Sequence, residues 1–394
     1  MNPRLPSTAP TASTGSVVAP AFSAEQAEAV AAHARRARHD AQSADRRRGV
    51  AVIASVILAW TAAILLTGQG NRVADNGAAA LTMVFGSFVA GSTPQGGGAV
   101  AFPVFTKLLG VSTEDARTFS LSIQALGMGT ATACIALLGR AVDRPALRLT
   151  VPSAISGYLA GTLLFTAIAP PTAYLKIVFT LVIVAAGAAT VISQRASVVE
   201  HLVSAPLDTA LTRLGLVTAA VSGGIASSLF GSGADIAVYL ALTVALGVRP
   251  AIGVATSVIT MAAVSVVGLA MSLATGALSP ALPEGSTDIF GMWLAAIPIV
   301  VIGAPLGSWF ASRCSTQMLA GFIGALALTE LVSTAVFLTE LRTQLSLATF
   351  GVIGLLGAAT FVRGLLALRD RLAEGRGPTL VSIRRLDIEQ GVPA

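Results

Sequence analysis

Ten long apolar runs dominate the 394-residue chain and constrain its fold more than any other feature. A helix needs about 20 apolar residues to cross the roughly 30 Å hydrocarbon core of a bilayer. Only 11% of the residues are charged, against roughly 25% in soluble domains. The sequence therefore predicts an all-α polytopic membrane protein. Eight runs are unbroken, and we interpret them as full spans at residues 50–67, 116–139, 149–169, 171–192, 251–275, 289–311, 318–338 and 344–366.

The other two runs, residues 79–110 and 212–248, are interrupted by "GSTPQGGGAV" and by "SSLFGSGAD". Unpaired backbone groups are not tolerated in lipid, so irregular backbone at membrane depth must line protein or a water-filled cavity. Pro94 ends the helix before it, and glycine permits unusual dihedral angles and close approach. We therefore predict two re-entrant broken helices with backbone groups exposed near the middle of the membrane. In the alternative interpretation, the glycines serve only tight helix packing.

Basic residues orient the spans, because lysine and arginine accumulate in cytoplasmic loops. The segment ending in "DRRR", the loop at residues 140–148 and the C-terminal "RGLLALRDRLAEGR" are basic, whereas "TGALSPALPEGSTD" is acidic. This pattern predicts eight crossings with both termini in the cytoplasm. The run at 79–110 then enters from outside and the run at 212–248 from inside. Lys176, near an outer turn, is the exception.

The two broken runs align when the chain is shifted by 137 residues along itself. Identical residues are then Gly86, Gly96, Thr106, Leu109, Gly110, Val111 and Ser120 with Gly223, Gly233, Thr243, Leu246, Gly247, Val248 and Ser257, and Phe102 meets Tyr239. In each copy a broken run precedes three spans, so the second copy must be inverted. Inverted repeats with paired broken helices are typical of secondary transporters.

The repeats predict a division of the chain into seven segments. These are a partly disordered cytoplasmic N-terminal tail (1–48), an extra first span with an outer loop (49–78), repeat one (79–192), a cytoplasmic linker (193–211), the inverted repeat two (212–340), an extra last span (341–368) and a cytoplasmic tail (369–394).

A half-helix follows each break, at residues 98–110 and 235–247, and both N-termini point at the membrane centre. A helix N-terminus carries about half a positive charge and free N–H donors, so it favours anions. We predict a small-anion site between the two ends, with no arginine in either break. The candidate binding residues are Thr93, Gln95, Gly96, Gly97, Gly98, Ser120, Gln124, Ser232, Gly233, Ala234, Thr256 and Ser257.

These residues resemble the TauE/SafE family of sulfite exporters, the 4-toluene-sulfonate-uptake-type permeases. The matching motifs are "GSTPQGGGAVAFPVFTKLLG" with "ARTFSLSIQALGM", and "FGSGADIAVYLAL" with "ATSVITMAAVSVVG", over about residues 79–340. The second motif has "GSGAD" where the family has three glycines. The resemblance implies alternating-access transport of sulfite or an organosulfonate, with the direction left open. The alternatives are an anion channel or a carrier of a non-sulfur organic anion such as a carboxylate.

Three ionisable residues within apolar runs are candidates for coupling, because charges in membranes are costly unless they are paired or hydrated. Asp235 either caps its half-helix or takes up a proton together with the anion. Glu330 either relays protons or forms a structural pair with Lys107 or Arg117. Lys107 either extends to the outer interface or attracts anions to an outer vestibule.

Other functional classes lack their residues in the sequence. Ser232 has no catalytic base, since the histidines are His33, His39 and His201, all in predicted cytoplasmic segments. No Walker motif and no Cys/His cluster is present, so we expect neither an enzyme nor a cofactor or metal. The expected partners are a small anion, the lipid bilayer of a bacterial-type inner membrane, a coupling proton or sodium ion, and a second copy in a homodimer. No nucleic acid is expected.

Overall fold

The computed structural model describes residues 47–168, 170–195, 202–281 and 287–374. The expectations for the N-terminal tail fall on residues 1–46, and those for the end of the C-terminal tail on residues 375–394, outside the described ranges. Within these ranges the regular structure is helical, apart from an isolated bridge between Leu202 and Val248. The all-α prediction is confirmed.

The helices are named here in chain order. They are α1 (Arg47–Thr67), α2 (Gly70–Asp75), α3 (Gly77–Ser92), α4 (Gly98–Pro103), α5 (Thr113–Leu137), α6 (Arg144–Ile168), α7 (Thr172–Arg195), α8 (Ala210–Phe230), α9 (Ala234–Tyr239), α10 (Pro250–Ala274), α11 (Ile289–Ala311), α12 (Thr316–Phe337), α13 (Glu340–Thr343) and α14 (Leu345–Glu374). The short helices α4 and α9 continue as π-helices through Val104–Leu108 and Leu240–Ala245.

Nine helices in the described part are long and apolar enough to cross a membrane. Eight of them coincide with the eight predicted spans to within a few residues. The ninth is α8, the helix that precedes the break in the second broken run. Its 21 residues extend about 31 Å, so this helix reaches well past the middle of a membrane. The corresponding helix before the break in the first broken run, α3, has only 16 residues.

The backbone repeats at the shift of 137 residues that the sequence predicts. Glycines with positive φ occur in pairs at this spacing, at Gly110 and Gly247 and again at Gly139 and Gly276. The turn after each π-helix also repeats. Leu109 donates its N–H to the Val104 carbonyl at 3.0 Å, and Leu246 donates to Ala241 at 3.0 Å. The two copies therefore share one backbone design, including the π-helical turn.

Contacts between equivalent helices show that the second copy is inverted. Leu121, near the start of α5, packs against Gly268, near the end of α10. At the other end of α5, the Asp143 N–H donates to Thr256 Oγ1 at 3.0 Å, close to the start of α10. The equivalent helices α5 and α10 thus run antiparallel. This is the relation that an inverted repeat requires.

Each broken run packs against a helix of the other repeat along a glycine seam. In the first seam, α3 and α11 run parallel, and Gly307 is so close to the Phe88 carbonyl that no side chain would fit. In the second seam, α6 and α8 run parallel, and Gly224 meets the Ala154 carbonyl in the same way. Small residues permit such backbone approach between membrane helices. Glycines within these helices therefore permit close packing, which is the role that the alternative interpretation gave to all the glycines. The glycines that follow α3 and α8 in the breaks lie outside these seams.

Both ends of the second broken run lie at one face of the protein. Leu202, before α8, donates its N–H to the Gly247 carbonyl at 2.9 Å and accepts from the Arg249 N–H at 2.9 Å. This is the re-entrant arrangement that the sequence predicts for residues 212–248. The helices α1 and α14, which the sequence sets apart from the repeats, have 6% and 11% of their apolar stretches buried, so both lie at the periphery.

At the opposite face, a polar clamp holds the starts of α3 and α11 together. Arg72 Nη2 lies 2.6 Å from Asp288 Oδ1, and Asn76 Nδ2 donates to Asp288 Oδ2 at 3.1 Å. Partial burial raises the pKa of the Asp288 carboxyl group, but hydrogen bonds from Arg72 and from the Gly291 N–H outweigh burial and hold that pKa below its usual value. The clamp therefore stays ionised at neutral pH.

The seam between α3 and α11 predicts a position-dependent cost of adding one methyl group. In Gly91→Ala the new Cβ would collide with the Ala304 carbonyl, so the helices must separate, at a cost of about 1–3 kcal/mol. Gly321→Ala is the matched control, because nothing lies within 4 Å of that exposed position, and it should gain about 0.5–1 kcal/mol. Thermal unfolding in detergent measures both. Equal melting temperatures for the two variants would contradict the seam.

Candidate functional site

The two breaks contact each other inside the protein. Ser232 Oγ in the second break donates to the Gln95 carbonyl in the first at 3.3 Å. Gly98 packs so closely on Ser232 that a Cβ there would lie 2.5 Å from the serine Cβ. Both Gln95 and Ser232 are at most 1% exposed. The breaks thus shield each other's backbone from lipid.

Local sequence explains why each helix stops there. Thr93, before Pro94, adopts the extended conformation (φ −131°, ψ 156°) that a following proline favours, which ends α3. Gly231 adopts the left-handed conformation (φ 73°) and donates its N–H to Ser227, the usual glycine termination of a helix. Two different signals therefore produce two matching interruptions.

Helix α5 joins the breaks from the side. Gln124 Nε2 donates to the Gly231 carbonyl at 2.6 Å and to Ser120 Oγ at 2.8 Å, and Ser120 Oγ donates to the same carbonyl at 3.1 Å. Gln124 is the twelfth residue of α5, about 16 Å from its start and close to half its length. The junction of the breaks therefore lies near the middle of the protein along the helix axes.

The N-terminus of the first half-helix is uncapped. Gly97 is its N-cap residue and has no side chain to accept a hydrogen bond. Residues 94–97 form a turn, but the N–H groups of Gly96, Gly97 and Gly98 form no hydrogen bond of good geometry with the described residues. Unpaired buried N–H groups are rare and costly, so this end of the helix is suited to a hydrogen-bond acceptor.

The second half-helix differs, because the Asp235 carboxyl group occupies its N-terminus. Asp235 Oδ1 accepts from the N–H groups of Gly233 at 3.1 Å and Ile236 at 3.0 Å, and the side chain is fully buried. The Ala234 N–H donates to Ser227 Oγ at 3.0 Å. The N-cap residue of α9 is Gly233, so Asp235 lies in the first turn of the helix and not at the predicted cap position. Its carboxyl group nevertheless accepts hydrogen bonds from N–H groups at this helix N-terminus. The expected pair of equivalent anion-binding ends is replaced by one open end and one occupied end.

Three buried acceptor oxygens have no hydrogen-bond partner: Asp235 Oδ2, Gln124 Oε1 and Gln95 Oε1. The Gln95 side chain is directed away from the junction, because its Nε2 donates to the Ile323 carbonyl at 3.4 Å. The other two oxygens surround Gly96, whose φ of 66° favours glycine. A Cβ at Gly96 would collide with Asp235 Oδ2 and lie 3.1 Å from Gln124 Oε1. The site therefore contains unpaired donors and unpaired acceptors side by side.

Some predicted site residues serve other purposes. Thr93 Oγ1 donates to the Val89 carbonyl of its own helix at 3.0 Å, and Ser257 Oγ likewise donates to Val254 at 3.0 Å. Thr256 Oγ1 accepts from the Asp143 N–H at 3.0 Å, near the start of α10. Thr93 Oγ1 also accepts from the Gln95 N–H of the first break at 3.4 Å. Among the described residues, the hydroxyl groups of Thr256 and Ser257 form no hydrogen bond with the junction. The residues that meet there are Gln95, Gly96, Gly98, Ser120, Gln124, Ser232, Gly233 and Asp235.

Folding brings an arginine to the second break that the sequence analysis missed. Arg117 Nη1 donates to the Ser228 carbonyl at 3.1 Å, and its side chain is 27% exposed. The breaks themselves contain no arginine. A signal was nevertheless present, since Arg117, Ser120 and Gln124 are spaced three and four residues apart and share one helix face. An exposed cation beside the site can attract anions.

Lys107 and Glu330 form a buried ion pair away from the junction. Lys107 Nζ lies 2.7 Å from Glu330 Oε1, and the side chains are 3% and 4% exposed. Thr180 Oγ1 donates to the same carboxylate oxygen at 2.8 Å. The contacts of Glu330 therefore agree with the alternative in which it forms a structural pair with Lys107. The Lys107 side chain is buried in this pair and does not face an outer vestibule. The pair ties the first half-helix to α12 and α7.

An apolar cavity of about 760 Å³ lies between α7, α8, α9 and α14 and reaches Gly233. Among the described residues that line it, the polar side chains are Thr212, Thr218 and Ser222, and none is charged. This lining offers little to an anion, so the junction is the better candidate site. The described residues also contain no cluster of three or more His, Cys, Asp or Glu side chains that could hold a metal ion.

Comparison with known proteins identifies a related family. The family model described as "Sulfite exporter TauE/SafE" matches residues 78–336, more than half of the chain and both breaks. Searches of curated proteins and of solved structures found no match.

The buried ion pair predicts strongly non-additive effects on stability. Glu330→Leu leaves the Lys107 ammonium group buried without its partner, which should cost about 3–5 kcal/mol. The double variant Lys107→Met/Glu330→Leu removes both charges and should recover most of that loss. Thermal unfolding of the purified single and double variants measures the difference. A double variant that melts as low as Glu330→Leu would contradict a mainly structural pair.

Proposed function

Because the chain belongs to the TauE/SafE sulfite exporter family, we propose that it is a secondary transporter that carries sulfite or an organosulfonate by alternating access through the junction of its two breaks. Members of this family are membrane transporters of the sulfite-exporter type. The substrate and the mechanism are our proposal.

One observation carries the assignment of the site. Gly96, Gly97 and Gly98 are buried at a helix N-terminus, and their N–H groups form no hydrogen bond of good geometry with the described residues. A bound oxyanion would accept from these groups and interact favourably with the positive end of the helix dipole. The first half-helix therefore holds the anion in our proposal, with Ser120 Oγ and Ser232 Oγ beside Gly98 as further hydroxyl groups within reach.

The approach to the site runs past Arg117. Its partly exposed guanidinium group beside the second break would attract an anion from the face where α5 begins. With both termini in the cytoplasm of a bacterial-type cell and the protein in the inner membrane, this face is the outer one. These assignments follow from the distribution of basic residues and from the positive-inside rule.

Burial of the junction favours a carrier over a channel. Gln95, Ser120 and Asp235 are not measurably exposed, and Gln124 is 2% exposed, so no open pore passes through the junction in this conformation. A carrier must alternate between conformations that open the site to one face at a time. We also expect a homodimer and a coupling ion, either a proton or sodium. We propose no enzymatic activity.

A variant of Gly96 tests the site. In Gly96→Ala the new Cβ would occupy the space between Asp235 Oδ2 and Gln124 Oε1, so we expect uptake to fall at least about tenfold, a loss of about 1.4 kcal/mol. Gly110→Ala is the matched control, since Gly110 has the same φ of 66° but nothing within 4 Å. Backbone strain is therefore common to both variants.

The measurement is uptake of sulfite, sulfoacetate, sulfate and a carboxylate into proteoliposomes. We expect saturable uptake of a sulfur oxyanion by the wild type and by Gly110→Ala. Equal uptake by Gly96→Ala and Gly110→Ala would contradict the site. An unsaturating current driven by voltage would indicate a channel, and preferred uptake of the carboxylate would indicate a carrier of non-sulfur anions.

A further inference from the structure

The unpaired acceptors at the junction require a hydrogen-bond donor that the described residues do not supply. Asp235 Oδ2 and Gln124 Oε1 lie on the same side of Gly96, and both are buried without a partner. Two buried acceptors that face one space repel each other, and each loses the hydrogen bonds it had in water. A bound anion would add a further acceptor and aggravate the shortage.

We propose that the Asp235 carboxyl group is a proton-binding site that couples proton movement to anion movement. In the conformation described here, Oδ2 carries the proton and donates it to Gln124 Oε1, which satisfies both oxygens. Oδ1 keeps its hydrogen bonds from the N–H groups of Gly233 and Ile236. This inference rests on the proposed function, because the coupling concerns the anion at the first half-helix.

The surroundings favour a proton over a metal cation. The three heavy atoms nearest to a Cβ built at Gly96 are Asp235 Oδ2, Ser232 Oγ at 2.9 Å and Gln124 Oε1 at 3.1 Å, so Asp235 supplies the one carboxylate among them. The described residues contain no group of three or more His, Cys, Asp or Glu side chains that could hold a metal ion. One proton needs only one donor and one acceptor atom, and this geometry provides both.

No basic side chain of the described residues forms an ion pair with Asp235. On α5, Arg117 is directed to the Ser228 carbonyl and to Glu114, at 3.1 and 3.6 Å. Lys107 is paired with Glu330. The other charged side chains that the structure describes on the surrounding elements are Asp115, Lys176, Arg213, Arg249, Arg363, Arg369, Asp370, Arg371 and Glu374. An ionised Asp235 would therefore be buried without a counter-charge.

Protonation of Asp235 and binding of the anion are then linked. With Asp235 neutral, the open N-terminus of the first half-helix attracts the anion without opposition. With Asp235 ionised, its negative charge lies beside that N-terminus, against Ser232 and Gly96, and repels the anion. The proton is taken from water at one face and released to water at the other, together with the anion. Movement of a monovalent anion with one proton is electroneutral.

The test uses methanesulfonate, which stays a monovalent anion across the pH range, in proteoliposomes of the full chain. A gradient of one pH unit, acidic outside, should drive about tenfold accumulation by the wild type at electroneutral one-to-one coupling. Asp235→Asn keeps the shape of the side chain, and its amide can donate to Gln124 Oε1. The amide cannot bind and release a proton in this pH range. We expect this variant to lose the accumulation, with an exchange rate that no longer depends on pH.

Glu330→Gln is the competing variant, because Glu330 is another buried carboxyl group and contacts Lys107 at 2.7 Å, away from the junction. It should still accumulate methanesulfonate. The proposal is overturned if Asp235→Asn accumulates as the wild type does, if Glu330→Gln alone abolishes accumulation, or if a sodium gradient at constant pH drives accumulation. Failure of the wild type to exchange any anion would contradict the proposed function instead.

Infrared spectroscopy gives a readout that does not require transport. Wild-type protein in lipid nanodiscs at pH 7 should show the C=O stretch of a protonated carboxylic acid. The band should be absent from Asp235→Asn and present in Glu330→Gln. If Asp235→Asn does not fold, Gln124→Met tests the same bond, because loss of the acceptor should shift the band and lower the pH at which it disappears. A wild-type spectrum without the band overturns the proposal.

Discussion

The hydrogen bond between Ser232 Oγ and the Gln95 carbonyl joins two helix breaks that lipid would not tolerate separately. Each break leaves main-chain groups without helical partners, so each needs a polar neighbour at the same depth. The inverted repeat supplies that neighbour, because two copies that enter from opposite faces meet where their helices stop. The glycine seams of α3 with α11 and of α6 with α8 then hold each broken run against the other repeat.

The backbone is symmetric at this junction, but the chemistry is not. At the shift of 137 residues Asp235 corresponds to Gly98, so the aligned position in the first turn carries a carboxyl group in one copy and no side chain in the other. On the spanning helices, Arg117 and Gln124 of α5 correspond to Val254 and Met261 of α10. Polar groups therefore collect on the α5 side. This asymmetry leaves one half-helix open to an anion and places a titratable group against it.

Much of this fold follows from the sequence, because the controlling signals are local. The spans follow from hydropathy, and the breaks and the repeat follow from glycine and proline at fixed spacing. The hydrogen-bond partners of the hydroxyl groups could be identified only from the three-dimensional structure. Symmetry predicted that Ser257 would act as Ser120 does, but Ser257 bonds to its own helix, whereas Ser120 reaches the Gly231 carbonyl. For Glu330 the sequence left Lys107 and Arg117 open as partners, and the packing of residues 223 positions apart decides for Lys107.

The close seams also restrict how the site could open to either face. Backbone contact along α3 and α11, and along α6 and α8, makes each of these pairs a rigid unit, because separation would lose tight packing without a replacement. The first half-helix is tied through Lys107 to α12 and through Thr180's contact with Glu330 to α7. Any motion that alternates access must therefore shift these units against α5 and α10. The bonds from Gln124 and Ser120 to Gly231 lie across that boundary, so they are the contacts such a motion would break and remake.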